Sequence, residues 1–377
     1  MTLLVFFFIL SVLVLVHEAG HFLVAKKAGI KVEEFGFGYP PRLWAKKIGE
    51  TEYSLNAIPF GGFVRLFGDP AEGEVVGGGE FKRSFLGKSK KARTGVILAG
   101  VLANFLLGIL VFSIVYSFLG IPKKTGQIKI VGISPGSPAQ KFGLKEGDIV
   151  LAVDGEKLAE LAKFTKLISE KKGKEIKLLV ERKIDNPCQQ KVLGGGAGFS
   201  CQDGNLLFWL TPRENPPEGE GPLGVIVSDM EIVKYPFWQM PFLGAAEGVK
   251  EAFGWGWLVV ISLKKMFGDL IFHGVVPQDV AGPVGIFQAT GMVAKTGILN
   301  ILQFLGILSV NLAVLNILPL PALDGGRLVF VGWELIFRRR PKPQVERWIN
   351  TAGMAILIFL LILVTINDVK RMLGPQF

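Results

Sequence analysis

Residues 14–24 read VLVHEAGHFLV and set His17, Glu18 and His21 inside an almost wholly apolar run. The run extends from residue 2 to residue 25. A helix of that length covers about 36 Å, enough for a hydrocarbon core of about 30 Å. No Lys or Arg precedes it and the apolar character continues past HEAGH, so the reading is a retained transmembrane helix rather than a signal peptide. Ionisable groups at that depth cost several kcal/mol unless partnered, and by default they mark function. On a helix, positions i and i+4 share a face, so both imidazoles can bind one metal ion. Glu18 stands about 100° further round, within reach of a water on that metal. Zinc lowers the pKa of such a water to about 7, and a carboxylate can take its proton. The chain has only 3 His, and this motif uses two of them. The plain alternative is a pair of satisfied histidines in a packed helix.

Composition supports a membrane setting. Of 377 residues, 50% are hydrophobic, mean hydropathy is +0.43, and the formal charge is +10. A basic chain suits anionic membrane surfaces or nucleic acid. Here the basic residues cluster beside apolar runs, with no basic stripe interleaved with aromatics, so no nucleic acid partner is expected.

Further spans fall at 95–119, 298–318 and 350–366, giving a polytopic α-helical membrane protein with about four transmembrane helices. Residues 26–93 carry 13 Lys+Arg and residues 327–347 carry six. The positive-inside rule makes both loops cytoplasmic and puts the region 120–297 outside. The apolar stretch 235–272 is broken by Glu247, Lys250, Glu251, Lys264 and Lys265, so 233–297 is assigned as an interfacial amphipathic region.

Residues 51–68, TEYSLNAIPFGGFVRLFG, alternate apolar and polar before Gly61-Gly62, which predicts a β-hairpin at the cytoplasmic face. Residues 120–232 predict a small soluble α+β domain, with strands at 127–133, before Asp154, at 175–183 and at 223–230. An inserted Pro- and Gly-rich loop occupies 184–222. Cys188 and Cys201 lie in that loop and read equally as a disulfide or as two free thiols.

Zinc needs a third protein ligand. Glu33 and Glu34 follow closely but would lie past the membrane edge. A stronger candidate is Asp324, after the broken helix VNLAVLNILPLPALDGGRL of 310–328. Pro319 and Pro321 interrupt helical hydrogen bonding there, and unwound backbone at membrane depth needs protein or a wet cavity around it. Cytoplasmic loops on both sides bring the HEAGH end of one span and the Asp324 end of another to the same face. The plain alternative for Asp324-Gly325 is a turn at a helix end.

Taken together, these residues resemble the site-2 protease family of zinc intramembrane metalloproteases, in its bacterial branch typified by the regulator-of-sigma-E protease. HEAGH matches H-E-x-x-H, and residues 316–325, NILPLPALDG, match N-x-x-P-x-P-x-L-D-G. PGSPAQKFGLKEGDIVLAVDG resembles a PDZ domain. Segments around Phe37-Gly38-Tyr39-Pro40, Gly61-Gly62-Phe63-Val64 and Ala281–Ile286 also resemble the family. The resemblance implies one Zn2+ held by His17, His21 and Asp324, with Glu18 activating water and Asn316 holding the scissile carbonyl. It implies that the hairpin, with Asn56, Phe63 and Val64, pairs with an unwound substrate segment. The PDZ-like module, with Ile133, Ser134 and Gly136 near its groove, would bind peptide or exclude untrimmed substrates. Some relatives carry two tandem PDZ domains, and one signature is found here.

The implied function is endoproteolysis of single-span membrane proteins already trimmed outside, such as anti-sigma factors or remnant signal peptides. The implied location is a bacterial cytoplasmic (inner) membrane, in the lipid bilayer. Two other readings stand beside it: a zinc protease acting on soluble peptides, and a non-catalytic PDZ scaffold with a structural zinc.

Overall fold

The computed structural model describes residues 1–69, 79–183, 199–217, 219–273 and 282–373. They divide into two compact units, Met1–Leu119 with Pro236–Phe377, and Gly120–Tyr235.

The first unit opens with α1 (Thr2–Lys27). It ends in a Schellman turn: Gly29, at φ 68, donates to Lys26 O and Ile30 donates to Ala25 O. Two long bent strands follow, β1 (Val32–Ile48) and β2 (Thr51–Leu66). They pair more than once. Trp44, Ala45 and Lys46 stand opposite Leu55, Ser54 and Tyr53 across the Gly49-Glu50 turn, whereas Phe35, Gly36 and Phe37 stand opposite Val64, Phe63 and Gly62. Phe35–Phe37 also face Tyr53–Leu55. The segment 32–37 is therefore interior to the sheet and 62–66 is an edge. The hairpin expected within 51–68 is thus redrawn: β2 runs through Gly61-Gly62, and its partner lies upstream. Glu34 is buried at the centre of this sheet, where Arg42 (2.8 Å), Arg65 (3.2 Å) and the Ser54 hydroxyl (2.6 Å) satisfy its carboxylate.

A long helix, α2 (Lys90–Leu119), comes next. Half of its most apolar stretch is buried, against 17%, 28% and 6% for the other three candidate spans, so α2 is the hub of the unit.

The second unit contains β3 (Ile121–Ile133), α3 (Pro138–Lys141), β4 (Ile149–Val153), β5 (Glu156–Lys157), α4 (Leu161–Glu170), β6 (Ile176–Glu181), β7 (Phe199–Gln202), β8 (Asn205–Leu210) and β9 (Val225–Val233). The sheet order is β7-β8-β6-β4-β3-β9, with β5 paired to β4. Alternating burial along β6 and β8 packs Leu178, Val180, Leu206 and Phe208 with Ile128 and Phe164 into one core. Part of the segment expected to be an inserted loop is therefore sheet. β7 and β8 extend the sheet from β6 because Leu206, Phe208 and Leu210 all face the core. Cys201 stands in β7 and is disulfide-bonded, and Cys188 lies outside the described residues.

The chain returns to the first unit as α5 (Met240–His273), α6 (Pro283–Val293), α7 (Ile298–Ile317), α8 (Asp324–Phe337) and α9 (Pro343–Leu373). Among the described residues, four helices are long and apolar enough to cross a membrane: Thr2–Lys27, Lys90–Leu119, Ile298–Ile317 and Gln344–Lys370. Close approach without large side chains packs them, as expected where no water drives association. A Cβ on Gly20 would come within 2.4 Å of Ala99 O in α2, and one on Gly108 within 2.6 Å of Val310 in α7.

The interfacial assignment of 235–272 also needs correction. α5 runs antiparallel along α2, with Gly244 against Ser117, Gly248 against Ser113 and Gly256 near Phe105. Residues 244–256 thus lie alongside a span rather than flat upon it. Their charges find local partners: Lys250 pairs with Glu247 at 3.0 Å, and Trp255 Nε1 donates to Glu251 at 3.0 Å.

Candidate metal centre

α1 and α2 lie antiparallel, and HEAGH faces α2. His21 Nδ1 sits 2.8 Å from Val96 O and therefore carries its proton there. In the neutral imidazole its Nε2 then presents a lone pair. That nitrogen is 3.3 Å from His17 Nε2, and each lies 3.2 Å from Asp324 Oδ2. Three donors about 2.0–2.1 Å from a tetrahedral zinc ion stand about 3.3 Å apart, so this triangle has the size of a zinc site. It also needs a cation. Among the described residues, buried Asp324 Oδ2 has no polar neighbour to satisfy it other than these two imidazole nitrogens. Buried unpaired charge is costly, and a metal ion between the three atoms removes the cost. Among the described residues, this is the one group of three potential ligands close enough to share an ion.

Local sequence explains how Asp324 reaches α1. The helix α7 stops at Ile317, and the chain reverses through Leu318–Leu323 into α8. A Cβ at Gly325 would lie 2.0 Å from Leu318 O, and one at Gly326 would lie 2.3 Å from Leu320 O, so the reversal requires both glycines. Ala322 takes φ 70, and its N–H donates to Asn350 Oδ1 in α9 at 3.3 Å. The far end of α8 is fixed by Glu334, which pairs with Arg93 of α2, while Lys90 Nζ donates to Glu334 O at 2.9 Å.

His17, Glu18, His21 and Asp324 line a cleft of about 420 Å³ with Asn316, Phe63, Val64 and Arg327. The sheet edge closes on it: a Cβ at Gly62 would come within 3.0 Å of Val14 and 3.3 Å of Glu18 Cγ. Asn56, expected to face substrate, is elsewhere. It is buried, and its amide donates to Gly38 O at 3.1 Å, pinning the sheet. Glu34 is committed to its arginines and does not approach the histidines. In the second unit, Ile133 lies on an interior strand, opposite Val225, and Ser134 N donates to Gly224 O at 2.9 Å. Gly136 N donates to Gln140 Oε1 at 2.6 Å. At Ile133 the β9 side of β3 is therefore taken, whereas the pairing with β4 covers only Ile128 and Lys129.

The sequence profile of peptidase family M50 matches residues 5–360. The chain belongs to peptidase family M50. Similar proteins include a Clostridium perfringens protein provisionally named a zinc metalloprotease, 33% identical over 95% of this chain and 96% of its own. The zinc metalloprotease RasP of Geobacillus kaustophilus is 30% identical, over 97% of each chain. RasP of Oceanobacillus iheyensis is 27% identical, over 98% of this chain and 99% of its own. This M50 chain is a zinc metalloprotease with several apolar helices of membrane-spanning length.

The M50 motifs do not exhaust the site. Gly100 of α2 sits directly under the imidazoles, where a Cβ would lie 2.3 Å from His21 Nε2 and 2.8 Å from His17 Cε1. Asn104, one turn on, approaches His17 Nδ1 at 3.4 Å. Sequence reasoning passed over both. One signal was available: Asn104 is the lone side-chain amide in the apolar stretch 95–119.

Proposed function

We propose that this zinc metalloprotease cleaves single-span membrane proteins inside the bilayer, near its cytoplasmic side. We assign His17, His21 and Asp324 as zinc ligands and Glu18 as general base, then acid. When bound there, zinc supplies a Lewis acid that acidifies a water and polarises a peptide carbonyl. Glu18 takes the proton of the attacking water and delivers it to the departing amide nitrogen. Asn316, on the cleft wall, orients the scissile carbonyl.

One observation carries the reading: the outer strand segment Gly62–Val64, which has β1 on one side and no second strand partner among the described residues, borders the cleft that contains the His–His–Asp triangle. A peptide bond inside a helix is shielded by its own hydrogen bonds. A substrate segment that unwinds and adds to this edge presents its carbonyl in the open, between Phe63 or Val64 and Glu18. The substrates this favours are single-span segments already shortened outside, a class that includes anti-sigma factors and remnant signal peptides. The basic loops 26–93 and 327–347 favour a cytoplasmic active site in a bacterial inner membrane. We further assign the second unit as a PDZ-type module in which β9, the outer strand with Ile226 and Met230 exposed, takes up extended peptide.

The test uses purified protein in proteoliposomes, with a single-span substrate and an extended soluble peptide of the same sequence. Glu18→Gln should retain zinc and lose about 10²-fold or more in turnover. Asp324→Asn should lose zinc itself. Equal cleavage of the soluble peptide would replace the intramembrane reading by a surface protease. Unchanged turnover in Glu18→Gln would remove the catalytic assignment.

A further inference from the structure

The candidate metal centre rests against one face of α2 at three positions spaced one helical turn apart. Val96 offers a carbonyl to His21 Nδ1, Gly100 offers clearance to both rings, and Asn104 offers its side chain to His17 Nδ1. His21 and His17 are themselves one turn apart, so the two helices meet in matched register. The pattern is complete for His21 and incomplete for His17.

The incompleteness is specific. With Nε2 of His17 directed at Asp324, its Nδ1 carries the proton and needs an acceptor. Asn104 Nδ2 faces it at 3.4 Å and is also a donor. That separation is long for a hydrogen bond and suits two donors held apart. Asn104 is fully buried, and its other amide atom, Oδ1, has no hydrogen-bond partner among the described residues. An orphaned amide oxygen in an apolar interior costs about 1–3 kcal/mol. A half-turn of the amide about χ2 exchanges the two atoms, so that Oδ1 faces His17 Nδ1–H as an acceptor and the amide nitrogen takes the place of the orphaned oxygen. The backbone around Asn104 is itself anchored, because the buried Ser309 hydroxyl of α7 donates to Asn104 O at 2.7 Å.

We infer that Asn104 is a positioning residue for zinc, accepting from His17 Nδ1–H through Oδ1 and thereby fixing the tautomer that presents Nε2. The inference rests on the assignment of His17 as a zinc ligand. Asn104 acts through His17, with no contact to substrate.

The experiment measures zinc affinity by chelator competition on purified full-length protein in detergent, together with thermal unfolding of each zinc-free form. Asn104→Leu removes the acceptor and should weaken zinc binding by about 10–100-fold. Asn104→Asp keeps an acceptor of the same shape and offers no donor, and should bind zinc at least as tightly as wild type. In ¹⁵N-histidine spectra of the zinc-loaded protein, His17 should appear Nδ1-protonated in wild type and in Asn104→Asp. With 3 His in the chain, single substitutions assign the signals. If Asn104→Asp loses zinc as severely as Asn104→Leu, the amide acts as a donor and the inference is overturned. Wild-type affinity in Asn104→Leu overturns it as well. If Asn104→Leu does not fold, Asn104→Asp against wild type decides. His17→Ala separates the two levels: zinc retained there refutes the ligand assignment, whereas zinc lost there but retained in Asn104→Leu refutes the role of Asn104 alone.

Discussion

Replacing Gly100 by alanine should unseat the metal while leaving the helix that carries the change at least as stable. A Cβ at this position lies 2.3 Å from His21 Nε2 and 2.8 Å from the Cε1 atoms of both His21 and His17. Non-bonded heavy atoms are comfortable at about 3.5 Å, so the His21 ring must retreat by about 1.2 Å. Zinc sites tolerate only about 0.2 Å in ligand distance, so the proposed bond from His21 to zinc could not survive that shift. Either His21 leaves the triangle or α1 parts from α2, and α1 is already pressed on α2 at Gly20. Removing partners that only orient a ligand costs about 10–100-fold in affinity, and displacing a ligand should cost at least the upper figure, about 2.8 kcal/mol. Helix propensity acts the other way, since alanine is favoured over glycine by about 1 kcal/mol inside a helix. Chelator competition should therefore show about 100-fold weaker zinc binding in Gly100→Ala with little change in zinc-free thermal stability. Gly95→Ala is the control, because its Cβ meets only Val24 Cγ1 at 4.0 Å. Wild-type zinc affinity in Gly100→Ala would refute the packing of α2 against the imidazoles. A loss in Gly95→Ala as large as in Gly100→Ala would show that the effect is not steric at the metal centre.

Two further changes probe the supports of the cleft. Gly62→Val brings a branched side chain to a position where even Cβ stands 3.0 Å from Gly36 O and Val14 and 3.3 Å from Glu18 Cγ. It should lift the strand edge from the catalytic helix and reduce turnover by about 10-fold or more at unchanged zinc content, and full activity would argue against substrate pairing there. At the end of α8, burial works against ionised Glu334, but its hydrogen bonds to Arg93 and Arg340 outweigh that and hold its carboxyl below the ordinary value of 4.5. A group depressed in this way stabilises the fold fully above about pH 4.5 and loses that contribution as pH falls through the lower folded value. Wild type should out-melt Glu334→Gln at pH 7, and the gap should close on acidification through that window; a gap that persists or widens in acid would contradict the ion pair.

The parts legible in the sequence are those encoded within a helical turn or within one apolar run. HEAGH carries its own i, i+4 geometry, and the four spans follow from length and hydropathy. Asp324 was legible because prolines and an aspartate have no structural business at the end of an apolar helix. The sheet was not, because β1 is punctuated by Gly36, Gly38, Pro40 and Pro41, which hide a strand whose first part is paired on both sides and whose second part is paired on one. Its partner assignment is set by non-local contacts, as is the place of β9 as one outer strand of the second unit's sheet. The helix α5 misled for a different reason: its charges read as exposure, whereas Gly244 and Gly248 allow it to lie along α2 with Glu247 and Glu251 satisfied locally.

The helix packed against the candidate metal centre carries none of the three proposed ligands, and a physical division of labour explains it. A metal site in a span needs charge and lone pairs from one set of helices, and from another it needs backbone carbonyls, clearance and acceptors. The second set looks unremarkable in sequence, because a carbonyl is present at every residue and clearance is simply the absence of a side chain. On α2 these roles fall to Val96, Gly100 and Asn104. The hub helix also receives Glu334 on Arg93, so the helix that bears Asp324 and the helix that bears both histidines are referenced to one scaffold. A ligand triangle of 3.2–3.3 Å sides can persist only if its members cannot drift independently. Misplacement of a few tenths of an ångström on either helix would exceed what zinc tolerates. The placement of both sets against α2 is the physical means by which residues more than 300 positions apart in the chain form one site.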